Sequence, residues 1–505
     1  MYLRKLIAVA AVLVSGLSAQ AQYREEPPRQ EEGKVVLTLD DALKIALSEN
    51  TSVKVADMEI QRQEYARKGS YASLLPQVSA SGMYSYALKK QKVYFGSDKQ
   101  DDEGGGSSGG GMAGMMAALM NPIMYYIEQL YAGTGVPFVP YVDPDAGQQG
   151  SGSSEPMEMG RTHSVTFGLS AQMPVVNFQL WESLRLTGDQ VELAVEQARE
   201  SRLGTVASVK QAYYAILFAK EAYNVYNSVY ENAVENFRLT EMRYNAAKAS
   251  ELDYTRAKSN VAAAIPNLYN AENSVELALW QLKAVMGVDL DRDIDVAGSL
   301  EDYAGTMFRD IAEGSSAPLD GNTQLRQLAQ QAEMLSRQIR MQQYAYLPTL
   351  ALTFSYSYLT QSDIFNLSQW KWFPSSTVGL SLSIPIFSGG QRYHAVKQVR
   401  VQADELALQR ENAERQLRIG IRQSLGTMDT ARRTYDASKE ALTSAEKAYD
   451  IAVKSYQLGK STLTDLNNTE LVLTQSRLAV SQAIYNFVTA KAGLEQTLGY
   501  DFNEE

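Results

Sequence analysis

The clearest secondary-structure signal in this 505-residue chain is the segment Leu350-Ala351-Leu352-Thr353-Phe354-Ser355-Tyr356-Ser357-Tyr358. Apolar and aromatic side chains alternate along it with small and polar ones. This period of two predicts a β-strand with two chemically different faces. The same alternation occurs at residues 78–88, 165–173 and 378–384. The sequence therefore predicts four strands of one kind.

The length and pattern of these strands favour a place in a membrane. Segments of roughly nine to eleven residues match a tilted strand that crosses a bilayer. An aromatic face opposite a serine-rich face is typical of a barrel wall that meets lipid outside and water inside. The side chains that we expect to face lipid are those of Leu352, Phe354, Tyr356 and Tyr358.

The two halves of the chain repeat each other. Residues 244–253 resemble residues 456–465 at an offset of 212, whereas the Leu-Pro pairs that end at Pro76 and Pro348 are 272 residues apart. The difference places about 60 extra residues between the two strands of the first half.

This repeat predicts how the chain is organised. The expected segments are a signal peptide at 1–21, an N-terminal linker at 22–36, a first repeat at 37–286, an inter-repeat linker or equatorial region at 287–320, and a second repeat at 321–505. Each repeat would contain a helix, two strands and two long helices, and the first would also carry a Gly- and Met-rich loop at 97–160.

Long runs with few helix breakers follow each strand pair, at residues 189–285 and 391–497. Alanines recur there every three or four residues, as at Ala437, Ala441, Ala445, Ala448 and Ala452. Such a narrow seam favours closely packed, coiled-coil-like helices. An uninterrupted helix over 391–456 would be roughly 100 Å long, so the pattern predicts a rod. Pro266 predicts a kink in the corresponding first-half helix.

The composition excludes several classes of function. The chain has no cysteine and two histidines, which removes thiol catalysis and the Cys- or His-rich sites that hold zinc, haem or iron–sulfur clusters. A formal net charge of -11 without a basic block argues against a nucleic-acid partner. No Ser/His/Asp spacing or paired-carboxylate motif indicates a hydrolase. We therefore expect no enzyme, no cofactor and no metal site.

The beginning of the chain has the pattern of a secretory signal. Arg4 and Lys5 precede an apolar run at 6–17, and Ala19-Gln20-Ala21 has the small-x-small pattern of a cleavage site. A retained membrane anchor is the weaker alternative, because the run is shorter than the roughly 20 residues of a spanning helix. We expect an exported protein whose mature chain begins at Gln22.

Four strands alone would not form a stable sheet in a bilayer, since its edges would leave backbone groups unpaired in hydrocarbon. Transmembrane barrels begin at about eight strands, so several copies must share one barrel. Three copies would give twelve strands and set the long helices side by side as a second, helical barrel. The alternative is a soluble α+β protein whose sheet packs on a core, which explains the two-faced strands less well.

Several short motifs occur in a characteristic order. They are the opening segment at 37–47, the Leu-Pro pairs that end at Pro76 and Pro348, Pro-Ile-Phe-Ser-Gly-Gly at 385–390, and the related ends at 286–289 and 498–501. Together with the signal sequence they resemble the TolC-type outer-membrane efflux proteins over nearly all of the mature chain. The resemblance implies an α+β membrane protein: a homotrimer whose twelve-stranded β-barrel in the outer membrane is continuous with a periplasmic α-helical barrel.

The same resemblance implies the function and the partners. Such proteins are passive ducts without a catalytic site, and they dock with a periplasmic adaptor and an inner-membrane pump that supplies the energy. Outer-membrane lipid would surround the barrel. A duct for type I protein secretion has the same fold, and the sequence does not separate it from small-molecule efflux. A secreted structural coiled-coil protein or adhesin would explain the helices but would leave the four strands without a role.

The turns at 244–253 and 456–465 are the expected periplasmic tip. Gly459 would end one long helix, and Ser461 or Thr462 would cap the next. The resemblance implies that the tip narrows to a gate, whose residues are Asp253, Asp465 and Tyr456, with Gly459, Lys460 and Ser461 in the turn. The alternative is that both aspartates only occupy first turns of helices, where negative charge is favoured in any case.

The loop at 97–160 contains seven of the 17 methionines and joins two strands on the side away from the helices, so we expect it to be extracellular. Thioethers could attract Cu(I). The interpretation that we favour is apolar filler, with residues 112–130 as a short amphipathic helix at the membrane interface or over the barrel mouth.

Overall fold

The computed structural model describes residues 35–93, 157–308, 319–366 and 368–500. The expected signal peptide, most of the N-terminal linker and most of the loop at 97–160 lie outside the described residues. The chain divides into two compact units. Of the described residues, those within 1–67, 183–340 and 393–505 form a helical unit, and those within 68–182 and 341–392 form a sheet unit.

The described residues form eight strands and seven α-helices. The strands are β1 (Val35–Leu37), β2 (Gln77–Tyr86), β3 (Gln91–Val93), β4 (Met157–Met159), β5 (His163–Val176), β6 (Ile294–Val296), β7 (Thr349–Ser362) and β8 (Phe373–Ser383). The helices are α1 (Leu39–Glu49), α2 (Thr51–Tyr71), α3 (Phe178–Asn245), α4 (Glu251–Met286), α5 (Thr323–Tyr344), α6 (Gln391–Gln457) and α7 (Leu463–Leu498).

The long uninterrupted helix predicted over 391–456 is confirmed, since α6 contains 67 residues. Its first-half counterpart α3 has 68 residues and begins at Phe178, earlier than the sequence indicated. Helix α4 continues through Pro266 to Met286. No helix in the described parts of the chain combines the length and apolarity that a membrane crossing requires.

All four predicted strands are present in the sheet unit. They pair antiparallel in the order β2-β5-β7-β8. The predicted bounds are close, although β2 ends at Tyr86 rather than Leu88 and β8 ends at Ser383. Short strands β3 and β4 form a separate ribbon that leads into and out of the long loop.

The register of the sheet places its apolar side chains on one face. Phe354 lies opposite Ala171 on one side and Val378 on the other, and directly paired side chains in an antiparallel sheet share a face. The exposed large side chains on this face include Val78, Tyr84, Phe167, Leu169, Leu352, Phe354, Val378 and Leu380. The opposite face carries mostly small and hydroxyl side chains, and the large apolar residues on it are Met83, Leu359 and Phe373. There the Ser79 and Ser170 hydroxyl oxygens lie 2.8 Å apart.

The core of the helical unit lies around a parallel pair formed by β1 and β6. Leu43, Ile216, Leu282 and Phe487 are fully buried there. The buried Tyr213 hydroxyl donates to the Ala297 carbonyl at 2.6 Å. Burial raises the pKa of Tyr213 to about 12, so the phenol remains a donor at neutral pH.

Both halves contain the same helix junction. Asn50 caps the start of α2 and donates from Nδ2 to the Val285 carbonyl at 2.6 Å. Asn322 caps the start of α5 and donates to the Thr497 carbonyl at 2.7 Å. The offsets, 272 between the asparagines and 212 between the carbonyls, equal those of the sequence repeat. One side chain thus joins the beginning of a short helix to the end of a long one in each half.

Candidate functional site: the helix-turn tips

Two nearly identical turns connect the long helices. In the first, the Lys248 N–H donates to the Arg243 carbonyl at 2.7 Å, and in the second, the Lys460 N–H donates to the Ser455 carbonyl at 2.8 Å. This pattern is a Schellman motif, which needs a left-handed residue after the helix. Gly459 occupies that position with φ 70°. Its counterpart Ala247 has φ 54°, a conformation that costs a residue with a side chain about 1–2 kcal/mol.

Each turn ends in a reciprocal cap. The Ser250 hydroxyl donates to the Asp253 carboxylate at 2.7 Å, and the Asp253 N–H donates back at 3.1 Å. The Thr462 hydroxyl donates to the Asp465 carboxylate at 2.6 Å, and the Asp465 N–H donates back at 3.1 Å. This is the capping box, in which two otherwise unpaired donors of a helix start are satisfied. The predicted cap at Thr462 is therefore confirmed.

The cap also affects the charge of the turn. The hydroxyl and N–H groups of Thr462 hold the pKa of the Asp465 carboxyl below its usual value, and the Ser461 hydroxyl contributes at 3.3 Å. Because the pKa is lowered by folding, this stabilisation is present above the ordinary carboxyl pKa. It is lost only as the pH falls through the lowered value. Asp465 therefore carries its negative charge at neutral pH.

A clamp joins α3 to the end of α6. The buried Tyr456 hydroxyl lies 2.6 Å from the Thr240 hydroxyl. The Arg243 guanidinium donates to the carbonyls of Tyr456 at 2.8 Å and Gln457 at 2.6 Å, and it stacks 4.8 Å above the Tyr456 ring. A cation is favoured at the C-terminus of a helix, where backbone carbonyls lack partners. Arg243 thus supplies donors to α6 from a neighbouring helix.

The structure distributes the predicted gate residues over two environments. Tyr456 is buried in a small apolar cluster with Ala257, Leu463 and Leu466. Among the described residues it hydrogen-bonds to Thr240 and to neither aspartate. Both aspartates are engaged by their own helix caps. This geometry accounts for them as helix-start residues, and their role as a gate stays a prediction.

The remaining predicted tip residues form the second turn itself. Gly459 and Lys460 are exposed, and Ser461 is half-buried beside Asp465.

The sequence did not predict the roles of Thr240 and Arg243, because nothing in their local pattern indicates a partner more than 200 residues away. The joining asparagines could have been found, since Asn50-Thr51 and Asn322-Thr323 repeat at the offset of the two Leu-Pro pairs.

In the sheet unit, Leu352, Phe354 and Tyr358 are exposed on the apolar face, and Tyr356 is half-buried there. The Tyr356 and Tyr358 hydroxyls lie 2.7 Å apart.

No group of three or more metal-binding side chains occurs within the described residues. His163 instead lies beside an aromatic residue, with its Nδ1 2.9 Å from the Tyr84 hydroxyl.

Comparison with known proteins extends these observations. The sequence model of the outer membrane efflux protein family matches residues 128–288 and 315–500, which is more than half of the chain. Outer membrane protein TolC of Escherichia coli (strain K12) is 22% identical over 352 residues, covering 67% of this chain and 70% of TolC. The alkaline protease secretion protein AprF of Pseudomonas aeruginosa is 23% identical over 335 residues, covering 65% of this chain and 68% of AprF.

A solved structure shares the fold. The Campylobacter jejuni CmeC outer membrane channel superposes with a TM-score of 0.62, covering 91% of this chain and 85% of that one at 17% identity. The family match spans both halves of the repeat, and the resemblance seen in the sequence motifs is confirmed. The chain belongs to the outer membrane efflux protein family, and it is an efflux channel of the outer membrane with a periplasmic helical part.

Proposed function

We propose that three copies of this chain form one exit duct, with a twelve-stranded barrel in the outer membrane and a helical barrel in the periplasm. The observation that carries the proposal is the sheet. One of its faces is apolar and exposed, the other carries mostly small and polar side chains, and β2 and β8 each pair on one side only within the described residues. Such edges are unfavourable in hydrocarbon unless another copy pairs with them.

The duct is a passive conduit in this proposal, and its residues carry out no catalysis. A periplasmic adaptor and an inner-membrane pump would engage the tip, and the pump would provide the free energy for transport. Outer-membrane lipid would cover Leu352, Phe354, Tyr356 and Tyr358. The family match supports this arrangement, because its members are outer membrane efflux proteins.

We assign the gate to the two turns, where Asp253 and Asp465 carry negative charge and Tyr456 fixes the end of α6. The clamp of Tyr456 to Thr240 keeps the two helix pairs of one chain together. Opening would then move the turns of neighbouring chains apart. The exposed Asp465 is the better placed of the two aspartates to contact solutes, since Asp253 is half-buried.

Single-channel conductance in a planar bilayer tests the gate. Asp465→Asn and Asp253→Asn should both raise the conductance if the carboxylates constrict the entrance. Thr462→Ala is the matched control, because it removes the cap at a typical cost of about 1 kcal/mol and leaves the Asp465 charge in place. An increase in Thr462→Ala equal to that in Asp465→Asn would reduce the aspartates to helix-start residues.

Protein secretion is the second candidate function, and the similarity to the alkaline protease secretion protein AprF favours it. The phenotype of a strain that lacks this protein distinguishes protein secretion from small-molecule efflux. Loss of a secreted protein from the medium with unchanged drug susceptibility would indicate secretion. Increased susceptibility to small toxic compounds with an unchanged secretome would indicate small-molecule efflux.

A further inference from the structure

A cavity of about 230 Å³ lies inside the helical unit, close to the tip. Its walls come from α3, α4 and α7. Small side chains at Ala233, Ala257 and Ala264 leave this space open where larger ones would fill it. Ala257 and Leu463 belong both to the cavity wall and to the apolar cluster around Tyr456. The cavity is therefore in direct contact with the tip.

The polar side chains in the cavity wall are one carboxylate, four amides and the hydroxyls of Tyr226 and Thr474. Glu470 is the one carboxylate in the lining, and only 9% of its surface is exposed. The amides that line the same space are those of Asn236, Asn260, Asn267 and Asn467. A carboxylate together with amide oxygens offers several acceptors around one small volume. The rest of the wall is mainly aliphatic.

Glu470 has neutral partners. Its carboxylate accepts a hydrogen bond from the Tyr449 hydroxyl at 3.5 Å and another from the Asn232 amide. No Lys or Arg in the described part of the chain forms an ion pair with it. Burial raises the pKa of Glu470, which means that its negative charge is poorly compensated by the protein. A buried carboxylate of this kind is stabilised by a cation that reaches it.

We propose that the cavity binds a small organic ammonium ion, with the ammonium group at Glu470 and the alkyl part against the alanine and leucine side chains. The ammonium group has three donors, which the carboxylate and the surrounding amide oxygens can accept. The aliphatic wall favours an alkylammonium over a fully hydrated metal ion, because part of the ligand must leave water. An occupied cavity would hold α3, α4 and α7 together beside the tip.

Ligand-observed NMR titration of the full chain in detergent tests the proposal. The probe is n-butylammonium chloride, and 1-butanol is its uncharged counterpart of nearly equal size. The wild type should bind butylammonium in preference to butanol. Glu470→Gln should weaken the binding of butylammonium by about tenfold or more, because it replaces a charged acceptor by a neutral one. The binding of butanol should not change.

Two further variants complete the test. Glu440→Gln changes an exposed carboxylate on α6 and should bind butylammonium like the wild type. Ala263→Leu, on the exposed rim of the cavity, should abolish binding of both compounds while the circular dichroism spectrum stays unchanged. Equal affinity for butylammonium and butanol, unchanged binding in Glu470→Gln, or full binding in Ala263→Leu would overturn the proposal. If Glu470→Gln does not fold, the proposal is still tested by two comparisons: butylammonium against butanol in the wild type, and the wild type against Ala263→Leu.

Discussion

At the scale of single residues, equivalent positions in the two turns have different surroundings. Tyr244 is exposed and stacks on Tyr254 with ring centres 5.1 Å apart, whereas its counterpart Tyr456 is buried against Thr240. The cap residues, by contrast, form the same capping box in both turns. Gly459 and Thr462 could be predicted from sequence because their partners lie within a few residues. The partner of Tyr456 depends on which helix packs beside it, and local sequence does not contain that information.

Tyr456→Phe tests the clamp. The substitution removes one hydroxyl from a buried pair and should reduce local stability by about 1 kcal/mol. Amide hydrogen exchange in the last turn of α6 should then become roughly fivefold faster. Tyr269→Phe, at an exposed position of α4, is the control and should leave exchange in that turn unchanged. Equal exchange in wild type and Tyr456→Phe would contradict the importance of the clamp.

At the scale of secondary-structure elements, the periodicity of the sequence was not enough to predict how the helix ends are held. The alternation of apolar and polar residues predicted the strands, and the alanine spacing predicted the long helices. Both patterns arise because one face of each element is apolar. The junctions at Asn50 and Asn322 depend on the meeting of two helix ends far apart in sequence. At the second junction the approach is so close that a Cβ on Gly499 would lie 2.1 Å from the Gly321 carbonyl oxygen. Gly499 also has a left-handed φ of 77°.

Gly499→Ala should therefore destabilise the helical unit by about 2 kcal/mol or more, through backbone strain and the displaced carbonyl. Gly493 lies in the same helix, and apart from the adjacent residues and the backbone of that helix no atom would lie within 4 Å of the methyl group that Gly493→Ala adds. This substitution should be neutral or stabilise by about 0.5–1 kcal/mol, because alanine is the better helix former. Denaturant unfolding followed by circular dichroism measures both. If Gly493→Ala lowered the free energy of unfolding as much as Gly499→Ala does, the proposed importance of the junction would be refuted.

The two faces of β7 can be tested with adjacent residues. Phe354→Lys places a charge on the apolar face and should reduce the amount of assembled protein in the outer membrane, at a cost of about 2–4 kcal/mol near the bilayer centre. Ser355→Lys places the same charge on the polar face and should be tolerated. Immunoblots of outer-membrane fractions compare the two. Normal assembly of Phe354→Lys would show that the strand orientation is wrong.

At the scale of the whole molecule, the sequence predicted the four strands of the sheet, and the structure confirms them. The need for further copies stays a prediction, which rests on the cost of unpaired strand edges in a bilayer. The strand order and register come from the structure, and they place every large apolar side chain among the paired residues of the four strands on a common face except Met83, Leu359 and Phe373. The pairing of β2 with β8 of a neighbouring copy would complete the barrel.

The most direct test of the shared duct is the mass of the protein extracted from the outer membrane in detergent. Light scattering combined with refractive-index and absorbance detection subtracts the detergent. We expect a particle with three times the mass of one mature chain. A particle with the mass of one chain, stable without detergent, would contradict the trimeric barrel.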